Sequence, residues 1–386
     1  MAAKFAIIGA GFSGAVLANE LAQQLDCAID VWEEKSHIAG NCFTERDDET
    51  GIMVHKYGPH IFNTDKKEIW DYVNRFITLR PYLHRVKAVS HGTVYSLPVN
   101  LHTINQFFHK VVSPAEARRL IDMQADHSIL NPKNFEEQAL KFLGQELYQA
   151  FFYGYTKKQW GCKPSELPAA ILKRLPVRFN YNDSYYDNAY CGIPEEGYTI
   201  FVEKLLSHNN IFLQLNKKFQ AEESIHQYDH IFYTGAIDTF FQYKYGRLGY
   251  RTVTFEPFVA EGDYQGTSVI NYCDEEVPFT RITEHKHFTP WEQHEKTICF
   301  REYSKETTEN DIPFYPKRLA PDKNLLMKYR HEAELQKNVS FLGRLATYRY
   351  MDMHHVIGEA LNFAKTFSEN FKASNTLPVF PNTEPV

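Results

Sequence analysis

The stretch Lys4-Phe-Ala-Ile-Ile8, Gly9-Ala-Gly-Phe-Ser-Gly14, with Leu17, Leu21 and Leu25 following at helical spacing and then Ala28-Ile-Asp-Val-Trp32, decides the fold. A short apolar run, a glycine turn, a 3.6-residue period and a second short apolar run predict a βαβ opening. The turn satisfies GxGxxG: Gly9 permits the tight bend, Gly11 lets backbone approach a pyrophosphate, and Gly14 admits close helix packing. Phe12 and Ser13 complete the turn, whose helix-terminal amides face phosphates. Glu33 stands 19 residues after Gly14, where a carboxylate accepts hydrogen bonds from both ribose hydroxyls of an adenosine, and Glu34 adjoins it. This fingerprint alone does not separate NAD from FAD.

Working outward, His37-Ile-Ala-Gly-Asn41 adds a glycine turn directly after the acidic strand. Its Gly40 and Asn41 resemble the second phosphate-proximal loop of FAD proteins of the glutathione-reductase type, which favours FAD. Those proteins commonly carry Gly-Gly where this chain has Ala39-Gly40.

With 386 residues, two or three packed units are expected. Hydrophobic residues at 43% and charged residues at 23% exclude wholesale disorder. A net charge of −6 without a dense Lys/Arg run excludes a dedicated nucleic-acid binder and leaves small molecules as partners. The 29 Phe, 24 Tyr and 4 Trp offer flat surfaces for stacking as well as core filling. Six cysteines without a CxxC pair indicate neither a zinc ribbon nor a disulfide framework, and suit a reducing compartment. No run of about 18 apolar residues occurs. The reading is a cytoplasmic protein without a membrane span. No HExxH spacing exists, and the adjacent His354 and His355 are expected to point differently on a helix, so no metal is expected.

Later segments complete the expected α/β architecture. His230–Gly235 and Val339–Gly343 read as buried strands returning to the first domain, the latter before a helix with Val356, Ala360, Phe363, Ala364 and Phe367 on its apolar face. A helical insert is expected between about 64 and 160; in it Asn134 and Glu137 form a capping pair, and Phe135, Ala139, Phe142, Leu143 and Leu147 share one face. Alternation at 86–97 (turning at His91-Gly92), 179–190, 243–258 and 268–303 predicts a mostly antiparallel sheet. The expected domains are a discontinuous Rossmann-like FAD-binding domain (1–75, 192–240 and 335–373), a helical substrate lid (101–175) and the sheet domain (76–100, 176–191 and 241–334).

From Met53-Val-His-Lys-Tyr-Gly-Pro-His-Ile-Phe62 onward the chain resembles the bacterial UDP-galactopyranose mutases. The strings Ser96–Leu101, Phe135–Ala139, Gly154-Tyr-Thr-Lys-Lys-Gln-Trp-Gly161, Ser165–Ala169, Lys173-Arg-Leu-Pro-Val-Arg-Phe179, Pro278-Phe-Thr-Arg-Ile-Thr-Glu-His285 and Gly343-Arg-Leu-Ala-Thr-Tyr-Arg-Tyr350 carry the likeness over nearly the whole chain. It implies an isomerase without net redox change. Reduced FAD would hold the sugar through a covalent bond from flavin N5 to the anomeric carbon while the ring opens and recloses, converting UDP-galactopyranose to UDP-galactofuranose for surface polysaccharide.

The resemblance also implies site residues. Arg174 and Arg281 would hold the substrate diphosphate, whose charge grows as it leaves. Tyr185, Tyr315 and Tyr350 would donate to it without adding mobile charge. Tyr155, Thr156 and Trp160 lie in the string that holds the nucleotide base, with Phe151 and Phe152 as assistants or, equally, as helix core. Asn271 is a further substrate candidate. Gly343, Arg344, Asp352 and Met353 would adjoin the flavin, with Asp352 also able to cap the next helix. His60 joins the catalytic candidates as a flavin-pocket residue, without assignment as a general base. His84 departs from the Asn common in bacterial relatives near the sugar. It either alters the hexose accepted or faces outward with no effect. The alternatives are the same chemistry on dTDP-fucopyranose or UDP-N-acetylgalactosamine, an FAD-dependent oxidoreductase, or a noncatalytic nucleotide binder. A homodimer is the family expectation.

Overall fold

The computed structural model describes residues 2–169, 171, 177–220 and 225–381. Its first layer is a five-stranded parallel sheet. The chain enters through β1 (Ala3–Ile8), α1 (Phe12–Gln24) and β2 (Cys27–Trp32). Small strands β3 (Thr44–Arg46), β4 (Met53–His55) and β5 (Phe62–Thr64) follow, then α2 (Lys67–Asn74) and β6 (Leu79–Pro81). The hairpin of β7 (Val86–Ser90) and β8 (Thr93–Leu97) turns on His91 and Gly92, with φ of 50° and 73°. Two left-handed residues in succession match the twist of paired strands.

A helical segment comes next: α3 (Leu101–Phe107), α4 (Pro114–Gln124), α5 (Phe135–Tyr148) and, after a π-helical turn, α6 (Gly154–Trp160). After β9 (Tyr190–Pro194) and α7 (Tyr198–Leu205), β10 (Ile211–Gln214) and β11 (His230–Tyr233) rejoin the parallel sheet, and α8 (Ile237–Phe240) follows. The strands β12 (Tyr250–Glu261), β13 (Val269–Tyr272), β14 (Arg281–Glu284), β15 (Lys296–Glu306) and β16 (Tyr315–Pro316) then build the second sheet. The chain closes with α9 (Ala320–Glu334), β17 (Val339–Phe341), α10 (Gly343–Ala346) and α11 (Met353–Lys372).

The parallel sheet has the order β10-β2-β1-β11-β17, reversing direction of addition at β1. A ligand crevice opens at such a reversal, beyond the carboxyl ends of the strands. Phe5 and Ile7 of β1 are fully buried, as befits a strand covered on both faces. Above it α1 packs against α11, whose Val356, Ile357, Ala360, Phe363, Ala364 and Phe367 are buried. Phe5 meets Phe232, Phe367 and Phe371 edge to face at 5.3–5.9 Å. The second sheet runs β16-β12-β15-β14-β13-β7-β8; all its pairs are antiparallel except β13 with β7. Among the described residues no helix is long and apolar enough to cross a membrane.

Three expectations need correction. The helical segment starts at Leu101 after the β7–β8 hairpin; among the α-helices from residue 64 onward only α2 precedes those strands. Phe142, expected on the buried face, is 52% exposed; two residues later Gly144, at φ 74°, interrupts the helix. No strand forms over 179–189. Asn180 and Asn182 accept from the amides of Asn182 and Ser184 at 3.0 Å, and these side-chain turns leave only an isolated bridge from Ser184 to Arg85.

Candidate active site

The crevice beside β1 is a cleft of about 660 Å³ running from Glu33 past Gly11 and Gly40 to His60, Arg281 and Tyr350. Its phosphate end is shaped by glycines. Gly9 has φ 106°, and a Cβ on Gly14 would overlap the Gly9 carbonyl oxygen, so the turn sits directly on α1. Gly11, in contrast, meets only the Gly40 Cα, at 3.9 Å from where a Cβ would stand. Ala39 and Gly40 are left-handed (φ 69° and 54°), bringing the second glycine turn against the first. Asn41 and Ser13 line this end, while Phe12 turns into the core against Phe201 at 5.3 Å.

Glu33 is 6% exposed. Its carboxylate accepts from the Ala10 amide at 2.9 Å and the Lys35 amide at 3.0 Å, which fixes it at the cleft while leaving further lone pairs. Glu34 is exposed on the rim. The two converging glycine turns, Glu33 and the length of the cleft fit an FAD.

At the other end lie Arg344, Met353 and Asp352, which occupies the N-cap position of α11 without a side-chain cap bond. The amides of this helix start face the cleft and favour negative charge. A Cβ on Gly343, at φ 84°, would collide with Ser13, so glycine lets α10 approach α1. Arg344 donates to the Phe314 carbonyl. Tyr315 and Tyr350 stack at 5.9 Å and 19°.

His60 accepts no backbone proton through its ring; its Nδ1 lies 2.8 Å from the Gly58 carbonyl oxygen. A carbonyl only accepts, so Nδ1 carries the proton and Nε2 keeps a lone pair. Burial holds this imidazole down to about 4; the Gly58 bond opposes that, and the nearby Arg344 charge adds to it.

Arg281 is a cation on the lining of this end. It donates from Nη2 to the Tyr155 hydroxyl at 2.5 Å, and its Nε lies 3.3 Å from Glu302 Oε1. Burial opposes its charge, yet the Glu302 carboxylate and surrounding phenols hold its pKa well above the ordinary arginine value. Tyr155, in turn, is raised by burial and partly relieved by Arg281. Asn271 pairs with Arg281 across β13–β14, and its buried Oδ1 has no hydrogen-bond partner among the described residues.

His84 is 5% exposed, so the outward-facing alternative is overturned. Its ring lies against Tyr186 (5.8 Å, 26°) and edge-on to Tyr185 (5.5 Å), whose amide donates to the His84 carbonyl. Its buried Nδ1 has no hydrogen-bond partner among the described residues. Burial, with the Arg281 charge behind it, holds the ring down to about 3 and therefore neutral.

Other candidates fall elsewhere. Phe151 and Phe152 sit in the helical core, Phe151 edge-on to Tyr95 at 5.0 Å, and do not line the cleft. Thr156 is buried and Trp160 half-buried against the same cluster. Arg174 lies outside the described residues. The rings of His354 and His355 are 3.9 Å apart beside Asp352, contrary to the expectation that they point differently.

Glu302 escaped the sequence reading, as did Tyr57, which hydrogen-bonds His37 Nε2 at 2.7 Å, and Lys217, whose ammonium lies 3.7 Å over the Trp32 ring. For Glu302 a signal existed: it shares the inward alternation of β15 with Phe300 and is 3% exposed. A carboxylate at a core position demands a buried cation.

Comparison with known proteins agrees with this geometry. Residues 150–350 match the UDP-galactopyranose mutase family model, and residues 7–76 match an NAD(P)-binding Rossmann-like domain. A probable UDP-galactopyranose mutase of Klebsiella pneumoniae is 54% identical over 374 residues, covering 97% of both chains. A dTDP-fucopyranose mutase of Escherichia coli is 51% identical over 375 residues, covering 96% of this chain and 99% of that one. The crystal structure of a reduced UDP-galactopyranose mutase superposes with a TM-score of 0.74 at 16% identity, covering 97% and 96% of the two chains. Family model, full-length relatives and fold coincide, and this chain belongs to the UDP-galactopyranose mutase family.

Proposed function

We propose that this chain, an isomerase of that family, interconverts UDP-galactopyranose and UDP-galactofuranose with reduced FAD held in the cleft. The observation that carries the reading is Arg281, a half-buried cation held by Tyr155 and the buried Glu302 at the end of the cleft away from the glycine turns. Gly11, Gly40, Asn41 and Glu33 would hold the cofactor's diphosphate and ribose, with Arg344 and Met353 at its ring end. Reduced FAD supplies an electron-rich nitrogen nucleophile toward the anomeric carbon.

The protein's own groups act on the rest of the substrate. Arg281 faces the diphosphate as negative charge develops on it, and a preorganised guanidinium in a site shielded from water stabilises that charge without reorganising. Glu302 keeps this cation from carrying a full uncompensated charge when the site is empty. Tyr315 and Tyr350, stacked and uncharged, orient the diphosphate by donation. Neutral His84 and Asn271, each with a buried atom that has no partner among the described residues, stand behind the lining residues Tyr186 and Arg281, from where they would bear on the polar groups of the sugar.

The test is turnover of UDP-galactofuranose under dithionite, followed by chromatography. UDP-galactopyranose should appear only when the flavin is reduced; its absence with flavin bound and reduced sinks the proposed substrate.

A second reading, dTDP-fucopyranose as substrate, is favoured by one observation: an imidazole is buried beside Tyr185 and Tyr186, where its bulk and donor geometry touch the sugar's recognition. A parallel assay with that sugar nucleotide and with UDP-N-acetylgalactosamine separates the cases. The proposal includes a cytoplasmic location, supported by six free thiols, and a homodimer, checked by light scattering.

A further inference from the structure

Lys158 stands on α6 three residues after Tyr155, on the same helix face. Its side chain leaves the helix for the connection between β13 and β14. There Nζ donates toward four backbone carbonyls: Tyr272 at 2.8 Å, Asp274 at 2.8 Å, Val277 at 2.9 Å and Phe279 at 3.1 Å. An ammonium has three protons, so four carbonyl oxygens around it form a cage for the charge rather than a set of separate bonds. The caged segment ends at Phe279, two residues before Arg281, where the next strand begins.

The same helix is fixed to this connection and to the sheet by other contacts. A Cβ on Gly154 would overlap the Cys273 carbonyl oxygen, so helix and connection touch backbone to backbone. Lys157 pairs with Glu275 at 2.5 Å. At the helix's far end, Arg251 donates to the carbonyls of Gln159 (3.0 Å) and Lys158 (3.3 Å), and Ser304 donates to Gln159 at 2.6 Å. The helix is therefore held by β12, β15 and the β13–β14 connection together.

We infer that Lys158 is a positioning residue for Arg281: by gathering the four carbonyls it sets the root of the Arg281 strand at the height where Tyr155, one helical turn away, receives the guanidinium. The inference rests on the reading that Arg281 holds the substrate diphosphate. Its consequence is that α6 and the β13–β14 hairpin act as one body. A guanidinium misplaced by about 1 Å forfeits much of its effect on a leaving anion.

The experiment compares flavin-loaded wild type with Lys158→Met, which keeps an unbranched stem as far as Cε and removes the ammonium. UDP affinity is measured by titration calorimetry, and turnover of UDP-galactofuranose under dithionite. Flavin content and visible spectrum should match the wild type, while UDP affinity falls about tenfold and kcat about 10- to 100-fold. Should Met prevent folding, Lys158→Gln, whose amide still donates twice to the ring, carries the same measurements. In Lys158→Ala, n-propylammonium replaces the deleted methylenes and the ammonium, and should restore turnover with saturation where tetramethylammonium at equal ionic strength does not. Absence of turnover in the wild type counts against the substrate reading and leaves UDP affinity to decide the role of Lys158. Wild-type UDP affinity and kcat in the Met variant, or a loss in the Ala variant that propylammonium leaves untouched, overturns the inference.

Discussion

The Arg281 guanidinium donates to the Tyr155 hydroxyl at 2.5 Å although 126 positions separate the two in the chain. The aromatic residue expected at the nucleotide base is thus also the partner of the cation expected at the diphosphate. Tyr155→Phe keeps the ring and removes the acceptor. Losing a hydrogen bond to a charged group should reduce kcat/KM about 10- to 100-fold, and Arg281→Ala should reduce kcat about 100- to 1,000-fold. Steady-state kinetics on reduced enzyme decide; a Phe variant at full activity removes Tyr155 from the positioning of Arg281.

The glycine turn allows a paired substitution. Gly14→Ala drives a Cβ into the Gly9 carbonyl, so flavin content, read from the 450 nm to 280 nm absorbance ratio, should collapse along with thermal stability. Gly11→Ala has room in the protein itself, with only the Gly40 Cα at 3.9 Å. It should fold at nearly the wild-type melting temperature and still bind FAD more weakly, because the added methyl obstructs the approach of the pyrophosphate. Equal behaviour of the two variants contradicts this division of roles.

His84→Asn replaces a buried ring with a small amide beside Tyr185 and Tyr186. The ratio of kcat/KM for UDP-galactopyranose over dTDP-fucopyranose should change by about tenfold. Competition between the two substrates measures that ratio directly. An unchanged ratio excludes His84 as a determinant of the sugar.

Buried histidines set the acid limit of the fold. Burial holds His60 down to about 4 and His84, His230 and His285 down to about 3, against an ordinary value of 6.5. The unfolded chain therefore binds more protons than the folded one below pH 6.5. The stability these rings contribute is fully present above that pH and is lost progressively as pH falls toward 4 and then 3, by up to about 1.4 kcal/mol per pH unit for each ring. Melting temperatures from pH 7.5 to 4.5 should be level at first and fall steeply below 6.5. A flat profile across that interval contradicts neutral, buried rings.

The nucleotide-binding half of the site was legible because its signals are local. A glycine turn between β1 and α1 and an acid after β2 lie within the first 33 residues, and backbone sterics give each glycine one meaning. The Arg281 surroundings were legible only through resemblance, which named Arg281 and Tyr155 but not their mutual bond. By itself, then, the sequence determined the βαβ opening and the apolar face of α11. Tertiary structure decided what surrounds the cation. Arg281 and Glu302 become neighbours because β14 and β15 pair antiparallel with those two residues directly opposite, so both side chains emerge on one face of the sheet. Such a register is fixed by strands far apart in the chain, and no spacing within either strand encodes the partner it will meet.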